Sequence, residues 1–102
     1  MATRELEKVR NIILESTGLD LAYAYDDLVF AEHGIFIVQF DAANPKYLHV
    51  FFNHECWEEE RKAMQKSFSE IASIKGFVAD FKGLFKMQQK HATEEIELKF
   101  IR

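Results

Sequence analysis

Gly34-Ile35-Phe36-Ile37-Val38 is the longest apolar run in the chain, and with Gln39-Phe40 behind it this stretch decides the fold. Its β-branched and aromatic residues suit a pleated, extended strand, Ile35 to Phe40. It is far too short to span a bilayer. Successive side chains of a strand point to opposite faces, so Ile35 and Ile37 oppose Phe36, Val38 and Phe40. Both faces of this strand are therefore apolar.

The neighbouring segments extend the sheet in both directions. Upstream, Glu32-His33-Gly34 reads as a tight hairpin turn, with Gly34 free to take a positive φ. Before it, Leu21 to Phe30 alternates Tyr23, Tyr25 and Val29 with Ala22, Ala24, Leu28 and Phe30, interrupted at Asp26-Asp27 by a bulge or bend. Downstream, Asp41-Ala42-Ala43-Asn44-Pro45 has loop chemistry. Tyr47 to Phe52 then forms a third strand of a meander, with Phe51 pointing opposite to Val50 and Phe52.

Helices flank the meander. Thr3 is placed to cap a helix running to about Thr17, in which Leu6, Val9 and Ile13 recur at helical spacing and Ile12 and Leu14 widen the stripe. Gly18 is positioned to end it. Asn53 is expected to cap a second helix, Glu55 to Ile74, with Glu58-Glu59-Glu60 in its first turns and Lys62 and Lys66 spaced to pair with them. Trp57, Met64, Phe68, Ile71 and Ala72 make its apolar stripe, and Gly76 stops it. Two strands follow. Phe77, Ala79, Phe81, Phe85 and Met87 are expected on one face of the first, where Gly83 marks a bulge or a close backbone approach. Gln88 to Thr93 reads as a turn, and Ile96, Leu98 and Phe100 alternate with Glu95, Glu97 and Lys99 in the last strand. The prediction is an α+β single domain, residues 1–102, of order α-β-β-β-α-β-β. Its five-stranded, mostly antiparallel sheet carries both helices on one face.

The charge balance narrows the function. Thirteen basic against seventeen acidic residues give a net charge of -4, and Arg4, Lys8 and Arg10 are interleaved with Glu5, Glu7 and Glu15. No basic stripe exists for a nucleic acid or an anionic membrane. The single cysteine, Cys56, precludes an intrachain disulfide. The opening Met1-Ala2-Thr3-Arg4-Glu5 lacks the apolar region of a signal peptide. A cytoplasmic protein is expected.

No constellation points to catalysis, a metal or a cofactor. His49 and His54 are an odd number of residues apart, which on a continuous strand sends them to opposite faces. No further Cys or His pair completes a zinc set with them and Cys56. They read as surface histidines near a helix start. Cys56 reads as a small buried apolar residue, because Glu55 and Glu58 oppose thiolate formation. Asp26, Asp27 and Glu32 read as a solvated bend rather than the paired carboxylates of acid/base chemistry. Phosphate-cradling loops and nucleophile elbows are missing. Tyr23, Tyr25 and Trp57 have the chemistry to stack a ligand ring, although such residues more often belong to a core.

In element order and acidic composition, from Thr3 to Phe100, the chain resembles the type III secretion chaperone fold, including the bacterial proteins that share it outside secretion. The resemblance implies a small, usually dimeric domain with a possible protein client. Where that fold closes with a helix, this chain closes with the strand Glu94 to Ile101.

The two apolar faces make a further demand, because two helices cover only one of them. The expectation is a non-enzymatic interaction or chaperone-like domain, self-associating as a homodimer. Ile35, Ile37, Phe51 and Trp57 are the candidate interaction surface. Alternatives are a curled monomer and a small-ligand module with an aromatic-lined pocket between sheet and helices.

Overall fold

A computed structural model describes residues 3–89 and 96–101. The elements are α1 (Thr3–Thr17), β1 (Leu21–Tyr25), β2 (Leu28–Ala31), a 3-10 turn (Glu32–Gly34), β3 (Phe36–Phe40), β4 (Tyr47–Asn53), α2 (Glu58–Ile74), β5 (Val78–Gln89) and β6 (Ile96–Ile101). The architecture is α+β. The strands form one six-stranded mixed sheet whose spatial order equals the chain order. β4 and β5, joined through α2, run parallel, and the other neighbours are antiparallel. Among the described residues no helix is long and apolar enough to cross a membrane.

Both helices lie on one face. Val9, Ile12 and Ile13 of α1 and Phe68 and Ala72 of α2 pack with Val29, Phe36, Val38, Leu48, Val50, Phe52 and Phe77 in the main core. Leu14 stays outside it and is exposed. Gly18, at φ 76°, ends α1 and donates its N–H to Leu14 O at 2.9 Å. The Ser67 hydroxyl of α2 donates to Ser16 O at 2.8 Å, which ties the two helices together. The side chain of Thr3, expected as a cap, lies outside the described side chains.

Sequence reading and structure part in the first strand. Asp26-Asp27 is the loop of a tight hairpin, with Asp26 at φ 56°, so the segment is two strands and the sheet has six. A two-residue loop pairs Tyr25 with Leu28 and therefore puts Tyr23 and Tyr25 on the face of Phe30 and Leu28. The alternation expected across Asp26-Asp27 had them opposed.

Two bulges reset the side-chain parity of their strands, since one extra residue sends all later side chains to the other face. At Ala22 the register shifts between Leu21 and Tyr23. Leu21 consequently packs on the helix-side core while Tyr23 looks the other way. In β5, Phe81 is opposite Val50 but Gly83 is opposite Phe51, leaving Lys82 as the extra residue. Gly83 sits at φ 146°, a conformation that favours glycine. The bulge separates Ala79, Phe81 and Leu84, which pack on the helix side, from Phe85, which faces away. A single face for Phe77, Ala79, Phe81 and Phe85 is thus corrected; the side chain of Met87 lies outside the described ones.

The second helix also begins later than expected. Asn53 closes a turn, its Oδ1 accepting from Glu55 N–H at 2.9 Å, and α2 starts at Glu58 with Trp57 in the capping position. Trp57 precedes the helix and is 77% exposed, so it is not part of the apolar stripe. The acidic first turn is present, and Lys62 Nζ lies 3.3 Å from Glu58. β5 continues through Gln89; the rest of the turn expected from Gln88 to Thr93, and Glu94 and Glu95, lie outside the described residues.

Candidate functional site

The four candidate surface residues divide into two pairs. Ile37 and Phe51 are register partners on β3 and β4, on the face away from the helices. Both are buried, and with Phe85 they form a second core over which Leu28, Phe30 and Leu98 pack. No helix contributes to this cluster among the described residues. It is enclosed because the sheet curls: residues of β1 and β2 and Leu98 of β6, from opposite ends of the strand order, line one cleft.

That cleft has a volume of about 540 Å³ and is lined in part by Tyr23, Tyr25, Leu28, Phe30 and Leu98. Its rim is aromatic. Tyr23 and Tyr25 are 54% and 65% exposed, with ring centroids 6.5 Å apart, and Tyr23 lies 5.1 Å from Phe30. No charged side chain lines it among the described residues. It offers apolar area, ring faces for offset stacking and two phenol hydroxyls. The aromatic-lined pocket anticipated between sheet and helices lies instead on the opposite side of the sheet.

Ile35 and Trp57 meet elsewhere. Ile35 follows the 3-10 turn with helical backbone angles, φ -68° and ψ -42°, so the strand's alternation starts only at Phe36. Ile35 packs against the helix-side core, on the side opposite Ile37. Together with Trp57, Cys56, Asn53, His33, Glu55 and Glu60 it lines a corner pocket of about 260 Å³. Asn53 pins the walls. Its N–H donates to Ile35 O at 2.8 Å and its Nδ2 to Gly34 O at 3.0 Å. Burial, and then the Glu60 charge, push the Cys56 thiol above its ordinary pKa, so it is held as a neutral thiol.

The remaining titratable residues do not converge. Asp27 accepts from Gln39 Nε2 at 3.0 Å, Glu32 accepts from Asp20 N–H at 2.6 Å, and Asp26 is exposed in its turn. His54 stands 3.7 Å from Glu55. His49, read as a surface histidine, is half-buried. Its Nε2 donates to Asp41 Oδ2 at 2.9 Å, and its ring stacks with Tyr47. That hydrogen bond, with those from the N–H groups of Ala43 and Asn44, holds the Asp41 carboxyl below its ordinary pKa. His49 Nδ1 is buried without a partner among the described residues. Asp41-Ala42-Ala43-Asn44-Pro45 reads as a loop, and no signal in the sequence joins Asp41 to His49. Among the described residues no three His, Cys, Asp or Glu side chains gather to hold a metal.

No protein-family model matches the chain, and neither the curated proteins nor the solved structures yield a match.

Proposed function

We propose that this chain is a non-enzymatic binding domain whose concave sheet face receives an uncharged, ring-bearing apolar ligand. The carrying observation is the cleft of about 540 Å³, without a charged side chain among its described lining residues, in which exposed Tyr23 and Tyr25 stand beside Leu28, Phe30 and Leu98. Its volume falls in the range of small-molecule sites, and such sites are mostly apolar with a few polar groups to fix orientation. Here the phenol hydroxyls supply those groups.

The test is titration with N-phenyl-1-naphthylamine, a neutral fluorescent probe. A saturable rise in emission at an equimolar ratio is expected, and Tyr25→Lys, which sets a charge on the rim, abolishes it. An absent rise, or one unchanged in Tyr25→Lys, overturns the reading.

A second reading, a homodimer, is favoured by β1 itself. It lies at the edge of the sheet and its residues Leu21 to Tyr25 carry no charge, whereas edges are commonly guarded by charged side chains. Antiparallel pairing of two β1 strands leaves the chaperone-like, client-binding possibility open on the outer surface. Light scattering over a dilution series decides it: a doubled mass that Tyr23→Lys halves supports the dimer, and a monomer at every concentration removes it.

A further inference from the structure

We propose that the corner formed by Trp57, Ile35 and Glu60 is a receptor for an arginine side chain of a partner protein. The proposal is independent of the cleft, which lies on the other side of the sheet.

A scattered exposed hydrophobic residue needs no explanation. Trp57 differs because its indole, 77% exposed, walls a concavity instead of standing on a flat surface. At about 260 Å³ the pocket is smaller than sites for whole ligands and suits one long side chain. Its floor is apolar, made by Ile35. Two carboxylates, Glu55 and Glu60, line it with His33, and no Lys or Arg does among the described residues.

Burial, and after it the Glu60 charge, raise the Cys56 thiol pKa, with Arg61 acting in the opposite sense. Arg61 lines a different pocket, with Gln65, Phe81 and Leu84. Glu58 is paired with Lys62 and Glu55 faces His54, while Glu60 has no ion-pair partner among the described residues. A carboxylate unpaired among the described residues, beside an exposed indole and the apolar Ile35, matches the three parts of arginine. The guanidinium plane stacks on the indole, its fork of N–H groups meets the Glu60 carboxylate, and the methylene stem covers Ile35. Lysine matches less well, since its ammonium is a strongly hydrated point charge without a stacking face. The hydrogen bonds of Asn53 with Ile35, Gly34, Glu55 and Cys56 hold both walls before binding, which limits the ordering cost. The net charge of -4 also favours encounter with a basic segment.

The chain has one tryptophan, so its emission reports this corner alone. The probe is a short blocked peptide with a central arginine, compared with the same peptide carrying lysine or the neutral isostere citrulline. A saturable change in Trp57 emission is expected with arginine, a weaker response with lysine and none with citrulline. Trp57→Ala, followed through the backbone amide shifts of His33 and Glu60, binds about three- to thirtyfold more weakly, and Glu60→Gln is also weakened. Both positions are exposed, so folding is retained and is checked by far-UV circular dichroism. No saturable response to arginine, equal responses to arginine and citrulline, or undiminished binding by Trp57→Ala each overturns the proposal; the last outcome reduces it to general attraction by an acidic surface.

Discussion

Phe51 on β4 and Phe100 on β6 lie with ring centroids 4.3 Å apart although β5 runs between their strands. The β5 residue in register with Phe51 is Gly83, which brings no side chain to this face. An aromatic ring leaning over a strand glycine is a recurrent device in curved sheets. Bulge, glycine and ring pair thus act together where the sheet bends.

Gly83→Ala is predicted to destabilise the fold by about 1–3 kcal/mol, because φ 146° is nearly closed to any residue with a Cβ. Chemical denaturation measures it. A loss below a few tenths of a kcal/mol would mean that the bulge relaxes freely.

Phe51→Ala should cost roughly 3–5 kcal/mol as a buried aromatic truncation. Phe100→Ala, at a site 39% exposed, should cost clearly less. A double-mutant cycle should return a coupling of about 0.5–1.5 kcal/mol for the ring pair. Additive losses would show that the rings are neighbours without mutual stabilisation.

Acid unfolding should depend on Asp20. Its hydrogen bonds from Arg10, at 2.8 and 3.1 Å, and from Leu21 N–H lower its pKa from 3.8 to about 2. The unfolded chain therefore binds the proton first as pH falls, so this contribution is complete above 3.8 and disappears on descending to about 2. Asp20→Asn should flatten stability against pH in that window while leaving the slope above it unchanged. Asp41→Asn should act in the same sense, because the His49 hydrogen bond and two backbone N–H groups lower that carboxyl too.

Asn53→Ala should cost about 1–3 kcal/mol by leaving its partners at Gly34 and Glu55 without their bonds. Because the same side chain fixes the corner beneath Trp57, arginine-peptide binding should weaken with it. Unchanged binding in a folded Asn53→Ala chain would show that the corner is not held open by this residue.

Much of the architecture was legible because it rests on local signals. Val9, Ile12 and Ile13 at helical spacing, Gly18 and Gly76 at helix ends, and the doubly apolar run from Ile35 to Phe40 each specify an element by composition alone. Parity was harder to read. Whether Tyr23 and Tyr25 share a face with Val29 or with Phe30 depends on a two-residue loop and on a bulge at Ala22, and nothing in Leu21-Ala22-Tyr23 announces that bulge. Gly83 did announce the second one, though not its effect on Phe85. The place of the cleft was not legible either, although a curled monomer was among the alternatives, since it joins residues far apart in the chain whose meeting depends on how the sheet curls. The surface set Ile35, Ile37, Phe51 and Trp57 assumed unbroken alternation from Ile35, and one helical residue at that position separates it into two places.

The identity of spatial and chain order in the sheet bears on how this protein is made. Every strand pairs with its predecessor, so each pairing can form as soon as its second strand leaves the ribosome. Only the parallel joint of β4 with β5 must wait, because α2 has to be completed and laid across the sheet before those edges can meet. Until then β4 is an open, strongly apolar edge of Tyr47 to Asn53, and the arrival of β5, delivered by α2, ends that exposure.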